Sequence, residues 1–183
     1  MLLLELLTFF SINLVFEHGL GISSLGSVAE NRKQLYGLSG SVLLLCSLGS
    51  LSVYGIRQGL KFGAESLAAP LLYLCAVAIW YLLLIGICVL CGGSVLGIQP
   101  KYLHRAVCSC AVLGCCYLMP QSLDSVWEAL WHGIRCGGGY VLVAWVLSGM
   151  GPLLYGKTMP AAVRGWPALL IYLGILSMAF ACI

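Results

Sequence analysis

Two groups of side chains in this sequence have the types and spacing to do chemistry. The first is Cys108-Ser109-Cys110 followed by Cys115-Cys116, which sets four thiols within nine residues. Thiolates are the ligands that hold iron–sulfur clusters. Four thiols on one helix point in several directions, so that helix presents only one or two of them to a single cluster. The other ligands must come from elsewhere. The second group is Glu17-His18-Gly19, set in an apolar run. Ionisable groups at membrane depth are costly and are functional suspects by default. Glu17, His18 and Arg135 are therefore candidates for an ion path. The competing reading puts Glu17 and His18 at the membrane interface, or pairs them with Arg135 or Arg105 inside a bundle.

Other familiar chemistries are missing. There is no Ser-His-Asp order, no paired-carboxylate spacing and no H-E-x-x-H. The stretch from Gly19 to Gly26 has Ser24 where a dinucleotide loop needs glycine, so it reads as a helix break or a close packing contact. Gly133 with Gly137, and Gly55 with Gly59, have the small-xxx-small spacing that lets helices approach closely. Cys46, Cys75, Cys88, Cys91, Cys136 and Cys182 complete the ten cysteines. Nearly all fall inside apolar runs, where a free thiol behaves as a small hydrophobe. A disulfide framework belongs to small exported domains. Cys88-x-x-Cys91 lacks the second pair of a zinc site. His18, His104 and His132 are far apart in sequence, and His132 follows Trp127 and Trp131 in what reads as an interfacial aromatic belt.

Composition fixes the elements that must position these groups. The chain has 183 residues, 61% hydrophobic and 8% charged, with a mean hydropathy of +1.03. Soluble domains carry about 25% charge, and one core of this size cannot hide so much apolar surface. A water-soluble enzyme domain and a disordered chain are excluded. A net charge of +3, thinly spread, excludes a nucleic-acid binder. The bilayer is the partner that remains.

A spanning helix needs roughly 20 apolar residues. Six runs qualify: about 2–26, 35–56, 67–91, 102–119, 126–150 and 166–183. The expected fold is an all-α integral membrane domain over 1–183, with no separate soluble domain. The N-terminal run has Glu5 and no basic leader, so it is taken as the first span and not as a signal peptide. Positive charge favours the first, third and fifth connections, through Arg32, Lys33, Lys101, Arg105, Lys157 and Arg164. The second and fourth have Arg57 and Lys61, with Arg135 nearby. This bias predicts N-out and C-out ends. Six spans divide into halves of about 1–92 and 101–183, related as inverted-topology repeats, with a broken first helix in each.

The residues around Cys110 resemble a known family. Cys110-Ala111-Val112-Leu113-Gly114 is similar to the Asn-Cys-Ala-Val-Leu-Gly segment of the Rnf/Nqr membrane subunits, the paired Rnf A/E and Nqr D/E proteins. Met159-Pro160-Ala161-Ala162-Val163-Arg164-Gly165 and Leu176-Ser177-Met178-Ala179-Phe180 resemble the C-terminus of the Rnf A type. Asn13-Leu14-Val15 and Leu20-Gly21-Ile22 match the family's first helix more loosely.

The resemblance implies an integral subunit of a redox-driven ion-translocating complex in the bacterial cytoplasmic (inner) membrane, not catalytic on its own. Such complexes pass electrons between ferredoxin or a quinone and the nicotinamide pool while moving Na⁺ or H⁺. It implies as partners the other Rnf complex subunits, including a paralogous E-type subunit. It implies as cofactor a [2Fe–2S] cluster shared between the paralogues. Cys110 is the implied ligand. Ser23 stands where the family has its other cysteine, Ser24 replaces the proline after it, and Ser109 replaces the usual asparagine. Serine oxygen is a poor substitute for thiolate on iron. Two outcomes follow: a cluster held differently, with Cys108 or Cys115, or a six-helix transport or scaffold protein that kept the fold and lost the redox centre. No flavin-attachment pattern is evident in this chain.

Overall fold

A computed structural model describes residues 15, 18–26, 32–60, 68–90, 100–120, 125–154, 160 and 164–181. Among these residues there are seven helices and no strand. They are α1 (Ile22–Gly26), α2 (Arg32–Leu60), α3 (Ala69–Leu90), α4 (Pro100–Val107), α5 (Cys110–Tyr117), α6 (Val126–Leu154) and α7 (Trp166–Ala181). Glu5 and Glu17 lie outside the described residues, as does most of the first expected span.

The centre of the molecule is the pair of 29-residue helices α2 and α6. Leu35, Leu38, Val42 and Leu45 recur at three- and four-residue intervals along α2 and are buried, as are Val143, Ala144 and Leu147 of α6. That spacing gives each helix one packing face. Lipid is as apolar as leucine, so the pair is held by close packing more than by escape from water. Glycine makes the packing close. A Cβ on Gly137 would sit 2.7 Å from the Cα of Leu43, and one on Gly133 would sit 2.7 Å from the Cα of Ser47. The small-xxx-small expectation holds for this pair. Gly55 and Gly59 do not share the role: among the described residues nothing lies within 4 Å of where their Cβ would be.

Serine hydroxyls on α2 are satisfied locally, which an apolar surrounding requires. Ser39 donates to Tyr36 O, Ser41 to Gly37 O, and Ser52 to Leu48 O. The Tyr36 and Ser148 hydroxyls meet at 2.8 Å, joining the start of α2 to the end of α6. The two helices are therefore antiparallel. Trp80 Nε1 of α3 donates to Ser52 Oγ of α2.

α2 and α3 are each long and apolar enough to cross a membrane. Only 17% of the most apolar stretch of α3 is buried, against 44% for α2. Leu71, Leu82, Val89 and Leu90 of α3 are exposed, Leu90 at 87%. A ridge of this kind is untenable in water and natural in lipid.

Arg57 has a structural task that its place near a connection conceals. Nη1 donates to Pro120 O at 2.9 Å and Nη2 to Met119 O at 3.1 Å. Nε donates to Tyr73 Oη at 3.2 Å, and the guanidinium lies 5.9 Å from the centre of that ring. A helix leaves its last carbonyls unpaired. Here a cation from α2 meets the carbonyls just past α5 and anchors the start of α3 as well.

Candidate functional site

The site is built on two interrupted segments. In the first, the helical geometry at His18 stops at Gly19 and resumes at Ile22. Gly19 and Gly21 have φ of 66° and 89°, a left-handed backbone that glycine accepts without steric cost. At Gly21 a side chain is also excluded by space, since a Cβ would meet Tyr140 Cε2 at 2.7 Å. In the second, α4 ends at Val107 and α5 starts at Cys110. Ser109 is the N-cap of α5, with φ −78° and ψ 127°, and its hydroxyl accepts from Ala111 N at 3.4 Å. The run 100–117 is about 27 Å long at 1.5 Å per residue, with its break near the middle. That length is close to the hydrocarbon thickness of about 30 Å.

The two interruptions touch. Ser24 Oγ donates to Gly21 O at 2.7 Å. A hydroxyl has one proton, so Ser24 must accept in its other contacts: from Tyr140 Oη at 2.7 Å and from Ser109 Oγ at 3.1 Å. Ser109 remains free to accept from Ala111 N. Every polar atom of this cluster is thereby paired, which matters because an unpaired one in apolar surroundings is costly. Tyr140 is 1% exposed. It pins the first interruption to α6.

The residues beside this cluster turn outward. Ser23, next to Ser24, is exposed, and so is Cys110, next to Ser109. A cavity of about 700 Å³ opens along this face, lined by His18, Leu20, Leu71, Leu74, Cys110 and Tyr117 among others. Its wall is almost wholly apolar apart from His18, Cys110 and tyrosine hydroxyls.

The sequence-predicted residues separate into two settings. Cys110 and His18 share the cavity. Cys108 is exposed at the turn between α4 and α5. Cys115 is buried. It lies five residues from Cys110, about 140° around a helix of 3.6 residues per turn, and its Sγ approaches His132 and Cys136 of α6. Arg135 is half-buried, 5.7 Å from the centre of the Trp131 ring, and does not line the cavity. Glu17 is outside the described residues. His104 Nδ1 meets Tyr81 Oη at 2.7 Å, on the α3–α4 contact.

As donors for a thiophilic group, these residues fit in part. The Cys110 thiol is accessible at the break, with Cys108 exposed nearby. The Ser23 hydroxyl, on the matching segment, is a hard oxygen that suits iron–sulfur ligation poorly. Tyr140 escaped the sequence reading, although a tyrosine following Gly137-Gly138-Gly139 in an apolar run is itself a signal of a buried polar contact.

Comparison with known proteins gives concordant results. The sequence model of the family described as "Rnf-Nqr subunit, membrane protein" matches residues 2–183. The A-type subunit of the ion-translocating oxidoreductase complex from two strains of Cereibacter sphaeroides is 34% identical over 79 residues. That match spans 43% of this chain and 41% of the relative, less than half its length. The corresponding A-type subunit from Glaesserella parasuis serovar 5 is 23% identical over 169 residues, covering 92% of this chain and 88% of the relative.

Proposed function

The chain belongs to the Rnf-Nqr family of membrane subunits, and from that premise we propose that it works as a membrane subunit of an ion-translocating oxidoreductase complex, in the A-type position. The carrying observation is the exposed Cys110 thiol at the break between α4 and α5, beside the contact with the interruption before α1. A thiol held at this break and facing outward can be shared with a second subunit. In this reading the paralogous E-type subunit covers the apolar cavity, and Cys110 is this chain's ligand to a shared [2Fe–2S] cluster. Such a cluster, when bound, supplies a one-electron carrier part-way across the hydrocarbon barrier.

The chain's own residues do the positioning. Ser109 caps α5 and so fixes the backbone next to Cys110. Ser24 and Tyr140 lock the opposing segment against it. Cys108 is the second exposed thiol at the same turn, and Ser23 occupies the other family ligand position. We further infer a single domain with halves 1–92 and 101–183 in a 3+3 inverted arrangement, with six spans in the bacterial inner membrane and N-out and C-out ends. The antiparallel α2–α6 pair and an interruption in each half support that topology. Glu17 and His18 are assigned to the ion path, with His18 on the cavity wall supporting the placement.

The test is made on the intact complex, purified with its neighbouring subunits. Iron, labile sulfide and the EPR signal of the reduced state are measured, with Cys110→Ala expected to lose the signal. An intact complex without iron would sink the redox role. It would favour the second reading, a six-helix membrane protein that kept the fold without the redox centre, a reading that Ser23 already supports. Glu17→Gln is expected to lower coupled ion movement without loss of assembly, and unchanged movement rejects that path.

A further inference from the structure

A second convergence of ligands lies on the inner side of α5. Sγ of Cys115, Sγ of Cys136 and an imidazole nitrogen of His132 all lie within 4.8 Å of one another. His132 and Cys136 are four residues apart on α6 and so share one face. Cys136 Sγ is 3.6 Å from His132 Nε2, and the same nitrogen is 3.3 Å from Cys115 O. Both cysteines are buried and the histidine is half-buried. None of these groups lines the cavity at Cys110.

The spacing matches metal ligation. Tetrahedral zinc binds sulfur at about 2.3 Å and nitrogen at about 2.0–2.1 Å, which puts sulfur–nitrogen edges near 3.6 Å and sulfur–sulfur edges near 3.8 Å. The Cys136–His132 separation already has the first of these values. Charge favours a divalent over a monovalent thiophilic metal. Two thiolates, a neutral imidazole and a divalent ion sum to zero, whereas a monovalent ion leaves a negative charge in apolar surroundings at considerable cost. His132 is six residues into α6, about 9 Å along its axis. An ion can therefore enter from the interface marked by the exposed Trp127 and Trp131.

We propose that Cys115, His132 and Cys136 form a zinc site that clips the end of α5 to α6, distinct from the Cys110 face. A water takes the fourth position. Binding releases the two thiol protons to solvent.

The test uses the full chain extracted from membranes together with its co-purifying subunits. Zinc and iron are counted by mass spectrometry. The wild type is expected to hold about one zinc attributable to this chain. Cys136→Ser and His132→Ala are expected to lose it and keep their iron, while Cys110→Ala keeps the zinc. Zinc content equal in the wild type and in both inner variants overturns the site, as does a wild type without zinc. Should the variants fail to assemble, the wild type alone decides. After exchange of zinc for Co(II), a thiolate-to-cobalt charge-transfer band supports the site, and cobalt uptake without that band refutes it.

Discussion

The helix α5 has two faces, and they place the same residue type in opposite settings. On one face Cys110 is open to an apolar cavity at the molecular surface. On the other, Cys115 and Cys116 are fully buried among α2 and α6. Five residues of helical rotation separate a thiol that can meet a partner subunit from one that can meet only this chain. Thiol chemistry here is set by the face of the helix and by what packs on it. The density of cysteines in the sequence does not decide it.

The largest effect that would sharpen the contrast is complete. Cys110→Ala is expected to abolish the EPR signal of the reduced complex, and Cys115→Ala to leave it unchanged. Loss of the signal in both would mean that the faces are not separate. Next is Arg57→Met, which removes the cation from the carbonyls of Met119 and Pro120 and frees the end of α5 on both faces at once. Hydrogen bonds to a charged group are worth about 1.5–3 kcal/mol each, so a clear fall in detergent-solubilised thermal stability is expected, together with faster thiol labelling at Cys115.

Gly137→Ala acts on the inner side alone. Its Cβ would meet the Leu43 backbone, and such overpacking costs roughly 1–3 kcal/mol. Gly55→Ala, in open space, is the matched control and should stay within about 0.5 kcal/mol of wild type. Equal unfolding midpoints for the two variants would overturn the close α2–α6 approach. The smallest effect is Tyr140→Phe. Ser24 keeps Gly21 O and Ser109 as partners, so the loss is about 1 kcal/mol. A midpoint unchanged within error would show that the hydroxyl contributes nothing to the junction.

Parts of this arrangement were legible in the sequence for physical reasons. Gly19 and Gly21 are the residues that a left-handed backbone selects, and Gly133 and Gly137 are those that a close crossing selects. In each case the backbone demand leaves a mark on residue type. Cys110 was set apart from the other cysteines by the family segment around it. Other parts left no such mark. Ser24 and Tyr140 bond across 116 residues, and neither type is specific to that pairing. His132 and Cys136 share a helix face visible from their four-residue spacing, but Cys115 joins them only through the packing of α5 on α6. Arg57 counted as a connection charge because its acceptors are backbone carbonyls, which every residue has. Gly55 and Gly59 show the converse: the spacing is present and no neighbour among the described residues uses it.

The Arg57 contact also sets a timetable for biogenesis. Its carbonyl acceptors come 62 and 63 residues later in the chain. At roughly 5–20 residues per second of synthesis, the guanidinium waits about 3–13 s before they exist. Throughout that interval only Tyr73, 16 residues on, and water can satisfy the cation. The end of α2 is therefore unfinished until the chain just past α5 is made and completes it.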